Sequence, residues 1–169
     1  MKIAYVDVDT QIDFLFPAGA LYVPGAERIV PRVAELNREA TAAGHVLIQT
    51  MDAHTENDLE FQTWPHHCVA GTLGQRKPEV TVAPGAIRIE KRHVDCFTNP
   101  RMAELVRELG LTEAVVYGVV SEICVRHAAL GLLERGVKVR VETSAMRELS
   151  AEARERFFAE LRERGGVVG

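Results

Sequence analysis

Long apolar runs are missing from this 169-residue chain, and so is any strongly basic stretch. The first apolar segment, IAYVDV at residues 3–8, is short and interrupted by Asp7. It suits neither a signal peptide nor a membrane span, which needs about 18 or more apolar residues. With a net charge of −4 and no basic run, the chain is not expected to bind nucleic acid or an anionic membrane. Cysteine is scarce. Cys68, Cys96 and Cys124 are odd in number and far apart, so reduced thiols in a cytoplasmic protein are expected rather than a disulfide framework. No GxGxxG follows the first apolar run and no GxxxxGK[ST] occurs, which removes the usual phosphate loops. The GxSxG serine elbow is absent as well. No internal repeat, low-complexity tract or linker divides the sequence. A 47% hydrophobic content suffices for a substantial core, so one domain over residues 1–169 is expected.

What is present is a regular alternation. Short β-branched runs at residues 3–8, 45–50, 86–90, 113–117 and 137–141 read as buried strands, with a last edge strand near Val167. Amphipathic segments lie between them. Ile29, Val33, Leu36 and Ala40 share one face, with Pro31 near the start and Gly44 as a stop. Met102, Leu105, Val106 and Leu109 form a second stripe, preceded by Asn99 as N-cap and Pro100 at the first helical position. Val125, Ala128, Ala129, Leu132 and Leu133 form a third, and Ser150 caps a fourth with Phe157, Phe158 and Leu161 inward. The alternation predicts an α/β fold with a mostly parallel sheet of five to six strands and helices on both faces. Residues 52–85 are the irregular part, long for a βα connection, and such loops are usually functional or mobile.

Ligands of open α/β sheets bind beyond the carboxyl ends of the strands. Asp9, Asp52, His54, Lys91 and Cys124 all fall there, so an acid, a cation, a thiol and a metal pair converge on one edge. If Ser121 caps the following helix, Cys124 sits in its first turn, where the dipole and a nearby Lys91 favour a thiolate. Alone, Cys124 would read as a small core residue. Asp9 can exchange a proton with it. Asp7 and Asp13 are rivals to Asp9, and Lys77, Arg88 and Arg92 are rivals to Lys91. Asp52 and His54 are two apart and face the same way in extended chain. His67, or His66 in its place, could close a metal site from across the loop, with Glu60 as an added ligand. One carboxylate and two imidazoles suit Zn, Fe or Mn.

Several separate stretches resemble one family in the same order. VDTQIDF at residues 8–14, GALYVPGAERIVPRV after it, DAH at 52–54, WPHHCVAGT at 64–72, IEKRH around Lys91 and GVVSEICV at 118–125 resemble the isochorismatase-like cysteine hydrolases, most closely their nicotinamidase branch. The resemblance implies a Rossmann-like three-layer α/β/α fold and an Asp9, Lys91, Cys124 triad. It implies Asp52, His54 and His67 as ligands of one divalent transition metal ion. It also implies a cis peptide at Val119–Val120, with the amides of Val120 and Cys124 as an oxyanion hole. Phe14, Trp64 and Phe97 are candidates to hold a flat ring. The sequence departs from the branch in a short 60–64 loop and in VDCF at 94–97, both expected at the pocket wall.

The activity implied is hydrolysis of nicotinamide to nicotinate and ammonia through a cysteine thioester, by a protein that commonly forms homo-oligomers. The same triad could cleave another small amide, carbamoyl or ureido substrate, for which metal independence would speak. A ligand-binding or scaffold protein of the same fold is the alternative outside enzymes, and an inert Cys124 would mark it.

Overall fold

The computed structural model describes residues 1–169. Its strands are β1 (Ile3–Val8), β2 (Val46–Asp52), β3 (Ile87–Lys91), β4 (Glu113–Val119), β5 (Lys138–Arg147) and β6 (Val167–Val168). They form one sheet in the order β3-β2-β1-β4-β5-β6, and every neighbouring pair is parallel. The helices are α1 (Ile12–Leu15), α2 (Val30–Ala42), α3 (Pro100–Glu108), α4 (Arg126–Leu133) and α5 (Ala151–Glu163). The chain winds one way from β1 to β3 and the other way from β4 to β6. Right-handed crossovers therefore put α2 on one face and α3, α4 and α5 on the other.

Sequence and burial agree strand by strand. β1, β2 and β4 are central and buried on both faces, which is why they read as near-continuous apolar runs. Edge strand β3 alternates between buried and exposed residues. The stripe Ile29, Val33, Leu36 and Ala40 is buried, as are Phe157, Phe158 and Leu161. Asn99 caps α3 by accepting the Arg101 N–H at 3.0 Å, and Ser150 caps α5 by accepting the Ala153 N–H at 3.2 Å.

Two expectations change. β5 runs on to Arg147 instead of ending at residue 141, because its pairing with β4 shifts register and resumes at Gly118↔Met146 and Val119↔Arg147. The polar Glu142, Thr143 and Ser144 conceal that continuation in the sequence. Ser121 does not cap a helix: Ser121–Val125 is a π turn leading into α4, and the Ser121 hydroxyl is buried without a partner.

The winding reverses between β1 and β4, which opens a crevice at their carboxyl ends. Gly118 makes the close approach there possible. Its φ is 118°, and a Cβ at this position would lie 2.1 Å from the Val8 carbonyl oxygen.

Candidate active site

Asp9 follows β1 in the left-handed region, at φ 50°, a conformation Asp tolerates better than most residues. Asp52 ends β2, Lys91 ends β3, and Cys124 lies in the turn after β4. The four meet at Lys91. Its Nζ lies 2.7 Å from Asp9 Oδ2, an ion pair off the hydrogen-bond angle, and 3.9 Å from Cys124 Sγ. It also donates to Asp52 Oδ1. Thr50 Oγ1 donates to Asp9 Oδ1 at 2.6 Å and fixes that carboxylate from the other side. The Lys91 and Asp9 side chains are fully buried.

Burial raises the Asp9 carboxyl above its ordinary value, against the opposing pull of Lys91. Burial works against the Lys91 charge too, but Asp52 and Asp9 keep it an ammonium. Burial also drives the Cys124 thiol well above the ordinary value, and Lys91 only partly offsets this. This corrects the expectation of a resting thiolate at a helix N-terminus. The arrangement is a neutral thiol beside a carboxylate of heightened proton affinity and a fixed ammonium, a setting for proton transfer concerted with attack.

The second cluster is Asp52, His54, Glu60 and His67, whose ligand atoms all lie within 4.8 Å of one another. Asp52 Oδ2 is 3.5 Å from Nε2 of both His54 and His67, and His54 Nε2 is 3.6 Å from Glu60 Oε2. His54 Nε2 is buried and has no hydrogen-bond partner. Nδ1 of His54 meets Asp58 Oδ2 at 2.9 Å, and Nδ1 of His67 meets the Pro65 carbonyl at 2.6 Å. Donating from Nδ1 leaves both Nε2 lone pairs facing the centre. Burial and repulsion from Asp52 raise the Glu60 carboxyl. An orphaned ring nitrogen, two converging imidazoles and two mutually repelling acids fit a divalent transition metal. The distant residues are brought together by a parallel bridge, His54↔Val69, closed by His54 N–H to Cys68 O at 3.1 Å and Ala70 N–H to His54 O at 2.9 Å.

Both clusters open on one cleft of about 410 Å³ including its open mouth. Phe14 and Trp64 line it, with Val94, Val120, Ile123 and Leu149. The Val119–Val120 peptide is cis, and the Val120 N–H makes no hydrogen bond within the chain. Phe97 departs from expectation. It lies on the other side of α4, with the Arg135 guanidinium 3.8 Å above its ring and its edge against Gly131. Within VDCF, Asp95 caps the local turn by accepting the Phe97 N–H at 2.8 Å, which turns Phe97 away and leaves Val94 on the cleft.

The rivals are engaged elsewhere. Asp7 and Lys77 pair at 3.3 Å in a separate buried network with Thr10, Asn37 and Gln49. Asp13 accepts the Ala20 and Cys68 amides and shapes the loop. Arg92 clamps Asp58, Arg88 is exposed, and His66 is a surface residue stacked on Phe61. Sequence reasoning missed Asp58 and Gln11. Gln11 grips the Asp52 backbone through both its N–H and its carbonyl, each at 2.8 Å. Its place in VDTQIDF beside Asp9 was the available signal; no spacing rule marks Asp58.

Residues 4–169 match the Isochorismatase domain family. The chain superposes on the pyrazinamidase of Pyrococcus horikoshii, solved in complex with zinc, with a TM-score of 0.93 at 32% identity over 100% of this chain and 99% of that one. It is 26% identical to the nicotinamidase/pyrazinamidase of Mycobacterium tuberculosis over 94% of both chains. It is 31% identical to a streptothricin hydrolase of Streptomyces noursei over 80% of this chain and 50% of that one. The chain belongs to the isochorismatase family and is a hydrolase that cleaves amide bonds.

Proposed function

We propose that this protein hydrolyses nicotinamide to nicotinate and ammonia, with Cys124 as nucleophile and one divalent metal ion, Zn, Fe or Mn, as cofactor. The observation that carries the reading is the position of Lys91 and Asp52. Lys91 joins Asp9, Cys124 and Asp52, and Asp52 turns its other oxygen to two histidines. A flat ring between Phe14 and Trp64 would then present its carboxamide to the thiol and its edge to the metal cluster.

Asp9 accepts the Cys124 proton as Sγ attacks the amide carbon, and Lys91 stabilises the sulfur's developing charge. The free Val120 amide and that of Cys124 serve the oxyanion, a contribution that typically amounts to about 10²–10³ in rate per donor. Asp9 returns the proton to nitrogen as the C–N bond breaks and ammonia leaves. Water, deprotonated by Asp9, then splits the thioester, and Cys124 regains its proton as nicotinate departs. Asp52, His54, Glu60 and His67 would hold the metal, which supplies a Lewis acid for the ring nitrogen.

The streptothricin hydrolase likeness favours a second reading, an amide other than nicotinamide. The cleft argues for the first. No lysine or arginine lines it, and Lys91 behind it is already paired with two carboxylates, so no free cation waits for an anionic carbamoyl acid. The test is ammonia release from nicotinamide by metal-loaded and metal-depleted protein, beside Cys124→Ala. Metal-dependent release abolished by the substitution is the expected result. No release despite an alkylatable Cys124 would transfer the assignment to other amides.

A further inference from the structure

Asp58 belongs to neither cluster, yet the residue is only 4% exposed and both carboxylate oxygens are engaged. Oδ2 lies 2.9 Å from His54 Nδ1 and accepts the Thr55 N–H at 3.1 Å. Oδ1 accepts the Thr55 hydroxyl at 2.7 Å. The Arg92 guanidinium closes on both oxygens, with Nε 2.9 Å from Oδ2 and a second contact from an Nη atom to Oδ1. The two inward-facing histidines are therefore held differently. His67 is backed by a neutral carbonyl, whereas His54 is backed by a carboxylate whose charge an arginine fork balances.

We propose that Asp58 is a positioning residue for the metal centre, acting through His54 and itself held by Arg92. The proposal rests on the metal reading above, but not on nicotinamide being the substrate. A carboxylate on Nδ1–H fixes the ring orientation and the tautomer that exposes the Nε2 lone pair, and it increases the donor strength of that nitrogen. The Arg92 fork holds the carboxylate in plane and keeps the outer layer neutral, so the inner acids alone meet the cation. Thr55 ties Asp58 to the turn directly after His54, so side chain and backbone are set by one residue. The sequence spacing His54–Thr55–Glu56–Asn57–Asp58 brings the acid back beneath the ring by a tight turn, closed by Asp58 N–H to Thr55 O at 3.2 Å.

The test is zinc and manganese affinity by chelator competition for the full chain, Asp58→Asn, His54→Ala and the double variant, each checked for folding by its metal-free melt. Asp58→Asn is expected to weaken binding about 10–100-fold where His54 is present. In the His54→Ala background the same change should have almost no effect, which a merely structural role would not produce. Unchanged affinity in Asp58→Asn, or an equal loss in both backgrounds, overturns the proposal. An unmodified chain that binds neither ion overturns the metal reading and this proposal with it. Should Asp58→Asn fail to fold, Arg92→Gln carries the same comparison: a smaller, His54-dependent loss supports the proposal, and no loss or a His54-independent one overturns it.

Discussion

Lys91 and Asp52 each serve two masters. One lysine pairs with two buried carboxylates and stands beside the thiol, so its single positive charge is shared by the whole cluster. Asp52 shows the balance: burial works against its charge, but Lys91 and the two histidines hold its carboxyl well below the ordinary range. At Cys68 and Cys96, Lys91 offsets burial only in part. Cys96 is 1% exposed, and burial pushes its thiol up to about 12. A thiol raised in the folded state stabilises the fold below its unfolded value, near 9, and that contribution fades as pH climbs toward 12. The urea midpoint should therefore fall across this window. The fall should be shallower in Cys96→Ala, while Cys68, Cys124 and Tyr117, which burial also raises, contribute to what remains. Identical slopes would mean that Cys96 does not titrate late. Asp9, Lys91 and Cys124 were legible as residues because each ends a strand or follows one. The raised thiol of Cys124 was not, because it depends on burial and on Asp9, Asp52 and Lys91, which distant segments bring beside it.

At the scale of elements, precision comes from a few junctions. Gly118 lets β4 pass against Val8 just before the turn that carries Cys124. Gly118→Ala should cost at least about 2 kcal/mol, from overlap with the Val8 carbonyl and a φ that side chains resist. Asn99→Ala, which removes an exposed cap, should cost only about 1 kcal/mol. Urea denaturation of the two variants side by side checks the order, and a reversal would deny the close approach at Gly118. Strands and helix stripes could be read ahead because periodicity is local. The extension of β5 and the fate of Ser121 could not, since one depends on cross-strand register and the other on a π turn. Phe97 was misread for a similar reason: Asp95 caps a turn that rotates it out of the cleft.

Across the whole molecule, the β1–β4 reversal gathers residues from opposite ends of the chain into one crevice. Because the candidate metal ligands come from β2 and from both limbs of the 52–85 segment, an ion bound there would tie these parts together. Zinc or manganese at about 100 times its Kd should add about 2.7 kcal/mol of stability, seen as a higher Tm that EDTA reverses. A Tm indifferent to both would deny a site at this cluster. Alternating apolar runs, Asn99, Ser150 and the strand-end positions of Asp9, Asp52, Lys91 and Cys124 were enough to predict the parallel α/β sheet and the edge where these four side chains meet, since periodicity and capping act over a few residues. The folded chain alone determined that Lys91 bridges Asp9 and Asp52, that Asp58 and Gln11 stand behind His54 and Asp52, and that burial raises the Cys124 thiol. Those are long-range contacts and desolvation, which exist only once distant segments have closed over one another.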